Sequence, residues 1–308
     1  MSLSTAQAGI PAVPDPDAAT LAPEPVPQRE APRRAKAAPN LLTDYMEFFK
    51  ARVTALVVIT AWAGFYLGSV RSAIPSFHIG LLETLTGIAL ISAGAAALNE
   101  ILERRSDARM IRTAGRPLAA GRISMPHGLL VAFAVTALGS WILLRFTNPV
   151  TCALGLLTVV TYVAIYTPLK YRTTLATFIG AFPGAMGPLL GWTAARGRIE
   201  WPAVALFAIL FVWQFPHFMA IAWLYRDDYA RAGIRMLPVV QPDGLSTVVE
   251  AMFYAVIMIP VSLAPWKLGM TGTTYAIPAI VLGLIYLAYT IRFTRILRTT
   301  SETESRSV

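Results

Sequence analysis

Eight times along this sequence an apolar run of close to twenty residues gives way to a short polar stretch. The runs fall at 53–70, 83–103, 128–146, 150–168, 174–195, 203–224, 247–266 and 274–292. A helix needs about 20 apolar residues to cross a bilayer. The runs are continuously apolar and lack the short alternating pattern of membrane barrel strands. The expectation is an all-α membrane protein, a polytopic transmembrane helix bundle with eight spans. Composition agrees: only 14% of the residues are charged, against about 25% in soluble domains.

The formal net charge of +9 raises the question of nucleic acid, and its distribution answers it. With the N-terminus inside, the eight spans leave Arg71, Arg145, Arg196, Arg198 and Lys267 outside, and the rest of the 26 Lys and Arg inside. This is the positive-inside bias of a membrane protein, so no nucleic-acid partner is expected. It places the chain in the cell (inner) membrane with both termini cytoplasmic. The single cysteine, Cys152, lies within a span. It rules out an intramolecular disulfide framework and reads as a small packed residue.

Residues 1–40 are rich in Ala and Pro and lack the apolar core of a signal peptide; a disordered cytoplasmic tail is expected. The segment LLTDYMEFFKARV reads as an interfacial helix leading into the first span, with Lys50 and Arg52 as topology anchors. Residues 41–300 form the membrane domain, and 301–308 a short polar C-terminal tail.

Two spans end in acids at the inside face. In NEILERRSDARMIRTAGRPL, Asn99, Glu103 and Asp107 recur every fourth residue and share one helical face. Carboxylates near membrane depth are costly, and two on one face repel. A divalent cation removes both penalties, and oxygen-only ligands favour Mg²⁺. A solvated helix end, with Glu103 and Asp107 paired to Arg104, Arg105 or Arg112, accounts for the spacing alone equally well. The second stretch is WQFPHFMAIAWLYRDDYARAGIRMLPVV. There His217 and Asp228 lie eleven residues apart, near three turns, and share a face if the helix continues. Arg226, Arg231 and Arg235 follow or flank them. Between the two, YTPLKYRTT puts Tyr166, Lys170 and Arg172 at the same inside face. Carboxylates, cations and hydroxyls at three helix ends are what metal-bridged diphosphate recognition requires. Phe211, Trp213, Phe218 and Trp223 are candidate walls of an apolar cavity.

These stretches, with PGAMGPLLGW, resemble the motifs of the UbiA superfamily of intramembrane prenyltransferases, and FPHF…DY…AG…MLPVV and RT…RPL resemble its protoheme IX farnesyltransferase branch. The resemblance runs from about Asp44 to Arg292. It implies a helical bundle, usually of nine spans, with a central cavity opening near the cytoplasmic face. It implies transfer of a farnesyl group from farnesyl diphosphate to a vinyl group of haem b, with addition of water to give haem O. Carried over by motif, Asn99, Glu103 and Asp107 form the first acidic motif and, with Asp228, are the expected Mg²⁺ ligands. These four and Lys170, which would meet the diphosphate, are the catalytic candidates. Arg112, Arg116, Tyr166, Arg172, His217 and Arg226 are the substrate-binding candidates. Proteins of terminal-oxidase or haem A biogenesis are the implied partners, besides the lipid bilayer.

The chain departs from the family pattern at several places. Ala51 stands where Pro is common, Ala176 where Asn is usual, Gly187 where Pro is usual and Tyr171 where Arg is expected. No ninth span follows Arg292. Two other functions fit parts of the pattern: a prenyltransferase acting on a quinone-ring precursor, and a transporter whose intramembrane acids carry protons or cations. Clustering of the acids at one face, and not along a path across the membrane, argues against transport.

Overall fold

The computed structural model describes residues 40–72 and 79–306. The tail expected over 1–40 therefore lies outside the described residues except for Asn40. Residues 40–308 make one compact unit.

The chain begins with α1 (Leu41–Phe48), capped by Asn40, whose Oδ1 accepts from the Thr43 N–H at 3.0 Å. Then come α2 (Ala51–Ser72) and α3 (Ile79–Asp107), followed by a long loop. α4 (Met125–Ile142) runs into a wide π-helical turn, Leu143–Thr147. α5 (Pro149–Val160) passes through a second π turn, Thr161–Tyr166, into the single turn α6 (Thr167–Leu169). α7 (Ala176–Arg196) ends on Gly197 at φ 70°, and α8 (Trp201–Leu224) follows. Two short helices, α9 (Arg226–Ala232) and α10 (Leu237–Val240), lead to α11 (Leu245–Ser262), α12 (Ala264–Lys267) and α13 (Thr273–Arg306). There is no strand among the described residues.

Each of the eight apolar runs lies in one long helix or one helix with its π turn or short continuation. Seven of them are long and apolar enough to cross a membrane, and the chain is a multi-pass membrane protein. The run at 174–195 forms α7, whose hydropathy is diluted by Ala, Gly and Pro. The cause is its position: residues Ala185–Thr193 are buried against protein and not lipid, so the helix needs small residues more than oily ones. At Gly191 a Cβ would fall 1.8 Å from the Ala61 carbonyl oxygen, and at Gly64 2.1 Å from that of Pro188. Only glycine allows α2 and α7 this approach. No ninth long helix occurs among the described residues, and α13 continues as helix to Arg306, past the run expected to end at 292.

α3 is the most enclosed of the seven candidate spans. About 61% of its apolar window is buried inside the protein, against 17% for α4. Ile88, Ile91, Leu98 and Ile101 pack with Ala132, Leu143 and Cys152 in the main core. This enclosure holds the last two turns of α3, which carry the acids, in one orientation.

Candidate active site

The polar ladder of α3 forms as the spacing predicts. Asn99 and Asp107 are fully buried and Glu103 is 5% exposed. Each meets a group from a different element. Glu103 accepts a hydrogen bond from Lys170 Nζ at 2.5 Å. Asp107 Oδ2 accepts from Arg116 Nη1 at 2.7 Å. Asn99 Oδ1 accepts from Lys50 Nζ at 2.6 Å and from the Tyr162 hydroxyl at 3.1 Å, while its Nδ2 donates to Thr167 Oγ1 at 3.0 Å. Three cations and two carboxylates thus surround one helix end.

Lys50 reaches this place through its backbone. It sits between α1 and α2 at φ 45°, the one positive φ of a non-glycine residue among those described. A side-chain-bearing residue there costs about 1–3 kcal/mol. The turn brings the ammonium to Asn99 of α3 and to Tyr162. Burial, followed by the nearby Arg116, pushes its pKa down to about 8, and Lys170 adds to the effect against the pull of Glu103 and Asp107. Burial also opposes the charge on Lys170, but the Glu103 carboxylate and the ionisable hydroxyls of Tyr166 and Tyr162 outweigh it, and its pKa rises well above the ordinary lysine value.

The second π turn aims two tyrosines at these cations. Tyr162 and Tyr166 stack with ring centroids 5.5 Å apart, and Lys170 Nζ lies 4.4 Å from the Tyr166 centroid. π turns inside helices are frequent at functional sites. Tyr171 follows Lys170, and its hydroxyl lies 2.6 Å from Ser106 Oγ, between Glu103 and Asp107 in sequence. The Lys170 carbonyl accepts from the Arg235 N–H at 2.8 Å. Lys170 is therefore held on both sides.

The basic loop after α3 is folded back on the helix by acids. Glu100, fully buried, accepts from the Leu118 N–H at 3.2 Å. Asp228 accepts from the Ile111 and Arg112 N–H groups at 3.2 and 3.4 Å and pairs with Arg231. Arg122 bridges Asp44 of α1 at 2.9 Å and the Gly115 carbonyl at 3.0 Å.

The continuous helix that would put His217 and Asp228 on one face does not form. α8 stops at Leu224, Tyr225 leaves the helical region at φ −112° and ψ 23°, and α9 starts anew. Asp228 turns to the loop, while His217 stacks on Trp213 with centroids 5.0 Å apart. Among the other expected residues, Arg112 packs its guanidinium over Tyr225 at 5.0 Å, Arg226 lies over Trp223 at 4.6 Å, and Arg172 is exposed. Phe211 belongs to an aromatic cluster between α7 and α8, 4.9 Å from Phe182. Lys50, Glu100, Tyr162 and Thr167 join the cluster without having been expected from sequence. The Lys50-Ala51-Arg52 departure was the available signal for the first, and nothing in the sequence marks the π turn behind Tyr162.

No group of three His, Cys, Asp or Glu side chains that could hold a metal ion occurs among the described residues. Mg²⁺, however, is commonly bound by only one or two carboxylates together with substrate phosphates. Glu103 and Asp107 supply two, and Asp107 Oδ1 is buried without a hydrogen-bond partner. The donor set fits.

A helical membrane bundle with acids and cations gathered at one end of an enclosed helix is the architecture of an intramembrane prenyltransferase. The UbiA prenyltransferase family profile matches residues 57–306, and the chain belongs to that family. Two of its relatives are protoheme IX farnesyltransferases. That of Koribacter versatilis is 53% identical, covering 82% of each chain. That of Solibacter usitatus is 42% identical, covering 82% of this chain and 88% of the other. Among solved structures, a digeranylgeranylglyceryl phosphate synthase shares the fold with a TM-score of 0.68 at 17% identity, over 85% of this chain and 93% of that one. A UbiA homologue from Archaeoglobus fulgidus, bound to GPP and Mg²⁺, matches with a TM-score of 0.61 at 16% identity, over 82% and 86%.

Proposed function

We propose that this chain transfers the farnesyl group of farnesyl diphosphate to a vinyl group of haem b, giving haem O. The observation that carries this reading is the convergence of Lys50, Lys170 and Arg116 on Asn99, Glu103 and Asp107, in a chain 53% identical to a protoheme IX farnesyltransferase.

In the reaction the allylic C–O bond to diphosphate breaks and a C–C bond to the vinyl terminus forms. Water adds its oxygen to the carbon left electron-poor, and one proton is released. Lys50, Lys170 and Arg116 face the charge that grows on the leaving diphosphate, and electrostatic stabilisation of this kind is usually the largest catalytic contribution. Glu103 and Asp107 are the residues that would hold Mg²⁺. When bound, that ion supplies Lewis-acid neutralisation of the phosphate oxygens. Without ligands the acids neutralise Lys170 and Arg116, so these two buried cations are paired in the resting protein. Tyr166 and Tyr162 orient the ammonium groups, and Asn99 positions Lys50. Phe211 and its aromatic neighbours exclude water from the allylic carbon.

Asp228 organises the loop that bears Arg112 and Arg116; metal coordination by it requires giving up Arg231. Arg112, Arg226 and Arg172 are assigned to the propionates of haem b, which need cations, and the His217 imidazole to the same substrate. The positive-inside bias puts both termini on the cytoplasmic side of the cell membrane. The membrane prenyltransferase domain spans 41–300, with tails at 1–40 and 301–308. Haem O released there passes to proteins of haem A or terminal-oxidase assembly. Membranes bearing the protein, incubated with haem b, farnesyl diphosphate and Mg²⁺, yield extracted haem heavier by one farnesyl group and one hydroxyl. Farnesyl diphosphate consumed with no change in haem mass overturns the choice of acceptor.

A further inference from the structure

A cavity of about 460 Å³ opens between α10 and the first turns of α11, with Glu250, Gln241 and Ser246 as its polar lining. Leu245, Val249 and Phe253 complete the wall. These three recur every fourth residue and are 52%, 60% and 57% exposed, so they form a lipid-facing stripe of a membrane span. Glu250 is half-buried and, among the described residues, has no hydrogen bond or ion pair. It is the sixth residue of α11, about 8 Å along the helix from its start. A carboxylate at that depth, beside lipid-facing side chains, calls for a counter-charge. The prenyl-transfer site does not supply it, and its anionic substrates would be repelled.

We propose that this groove binds a phospholipid with a primary-ammonium headgroup. The occupant follows from the lining. An ammonium has three N–H donors and no acceptor. The Glu250 carboxylate, the Gln241 side-chain carbonyl and the Ser246 hydroxyl are three acceptors in its lining. A trimethylammonium headgroup offers none of those donors, and an anionic headgroup meets the Glu250 charge. The acyl chain lies along Leu245, Val249 and Phe253, where the groove is open to the bilayer.

The test is native mass spectrometry of the full chain released from bilayer discs containing equal amounts of phosphatidylethanolamine and phosphatidylcholine with identical acyl chains. The ethanolamine lipid is retained about tenfold over the choline lipid, the scale of one charge-assisted hydrogen bond. Glu250→Gln abolishes the preference while prenyl transfer continues, which shows that the variant is folded. Gln241→Leu, which keeps the charge, lowers the preference without removing it. Equal retention of the two lipids by the wild type overturns the proposal. So does an unchanged preference in Glu250→Gln, or a second copy of the chain seated on this face in place of lipid.

Discussion

The two acidic stretches look alike in sequence and come to different ends. On α3 the helix runs unbroken through Asp107, so residues at every fourth position stay on one face and converge on Lys50, Lys170 and Arg116. On α8 the helix breaks at Tyr225, and His217 and Asp228 part company. One stretch gathers charge in a rigid, enclosed helix; the other divides it between a ring that stacks on Trp213 and a carboxylate that holds a loop. Continuity of the helix, more than the presence of acids, decides which stretch gathers its charges at one place.

The widest gap between the two should appear on removing the α3 charges. Glu103→Gln or Asp107→Asn is expected to lower kcat/KM by about 10²–10³, the scale of one lost electrostatic group, measured as haem product formed per minute. Lys170→Met comes next. It leaves Glu103 buried without its partner, and breaking such a pair costs about 3–5 kcal/mol, read as a lower melting temperature. The double variant Lys170→Met/Glu103→Gln should regain much of that stability and none of the activity. In the second stretch the effects are smaller. Asp228→Asn weakens the acceptor of two loop N–H groups and loosens Arg116, costing about 1 kcal/mol, seen as a several-fold rise in KM for farnesyl diphosphate. His217→Gln raises KM for haem b and leaves that for farnesyl diphosphate in place.

A pH profile sharpens the comparison further. Lys50 has a folded pKa of about 8, below the lysine value of 10.5. It is charged below that pH and loses its proton above it. Because kcat/KM reports the free enzyme, its value for farnesyl diphosphate should fall as pH rises through about 8. Lys50→Arg, which stays protonated, should remove that limb. For stability the sign is opposite. Between about 8 and 10.5 the unfolded chain holds more protons at this residue, so its contribution favours the fold increasingly as pH rises.

Most of the bundle was legible because lipid imposes one rule on every span, and each apolar run became a helix. α7 was legible as a helix from its length, while its inner position shows only in its small residues. The α3 ladder was legible because period and element agree. From sequence Lys50 is a topology anchor, since its left-handed turn has no glycine or asparagine to announce it. The break at Tyr225 was equally silent, for no Gly or Pro marks it, and the expected phase of His217 and Asp228 failed there. Glu100 escaped because its role depends on a loop folding back on its own helix.

The most direct test of the site is a Mg²⁺ titration of farnesyl diphosphate binding, by calorimetry, to the wild type and to Glu103→Gln/Asp107→Asn. Binding to the wild type should tighten steeply with Mg²⁺, and the double variant should lose that dependence while Lys50, Lys170 and Arg116 keep weak, metal-independent binding. The same Mg²⁺ dependence in both proteins would contradict the assignment of the α3 carboxylates.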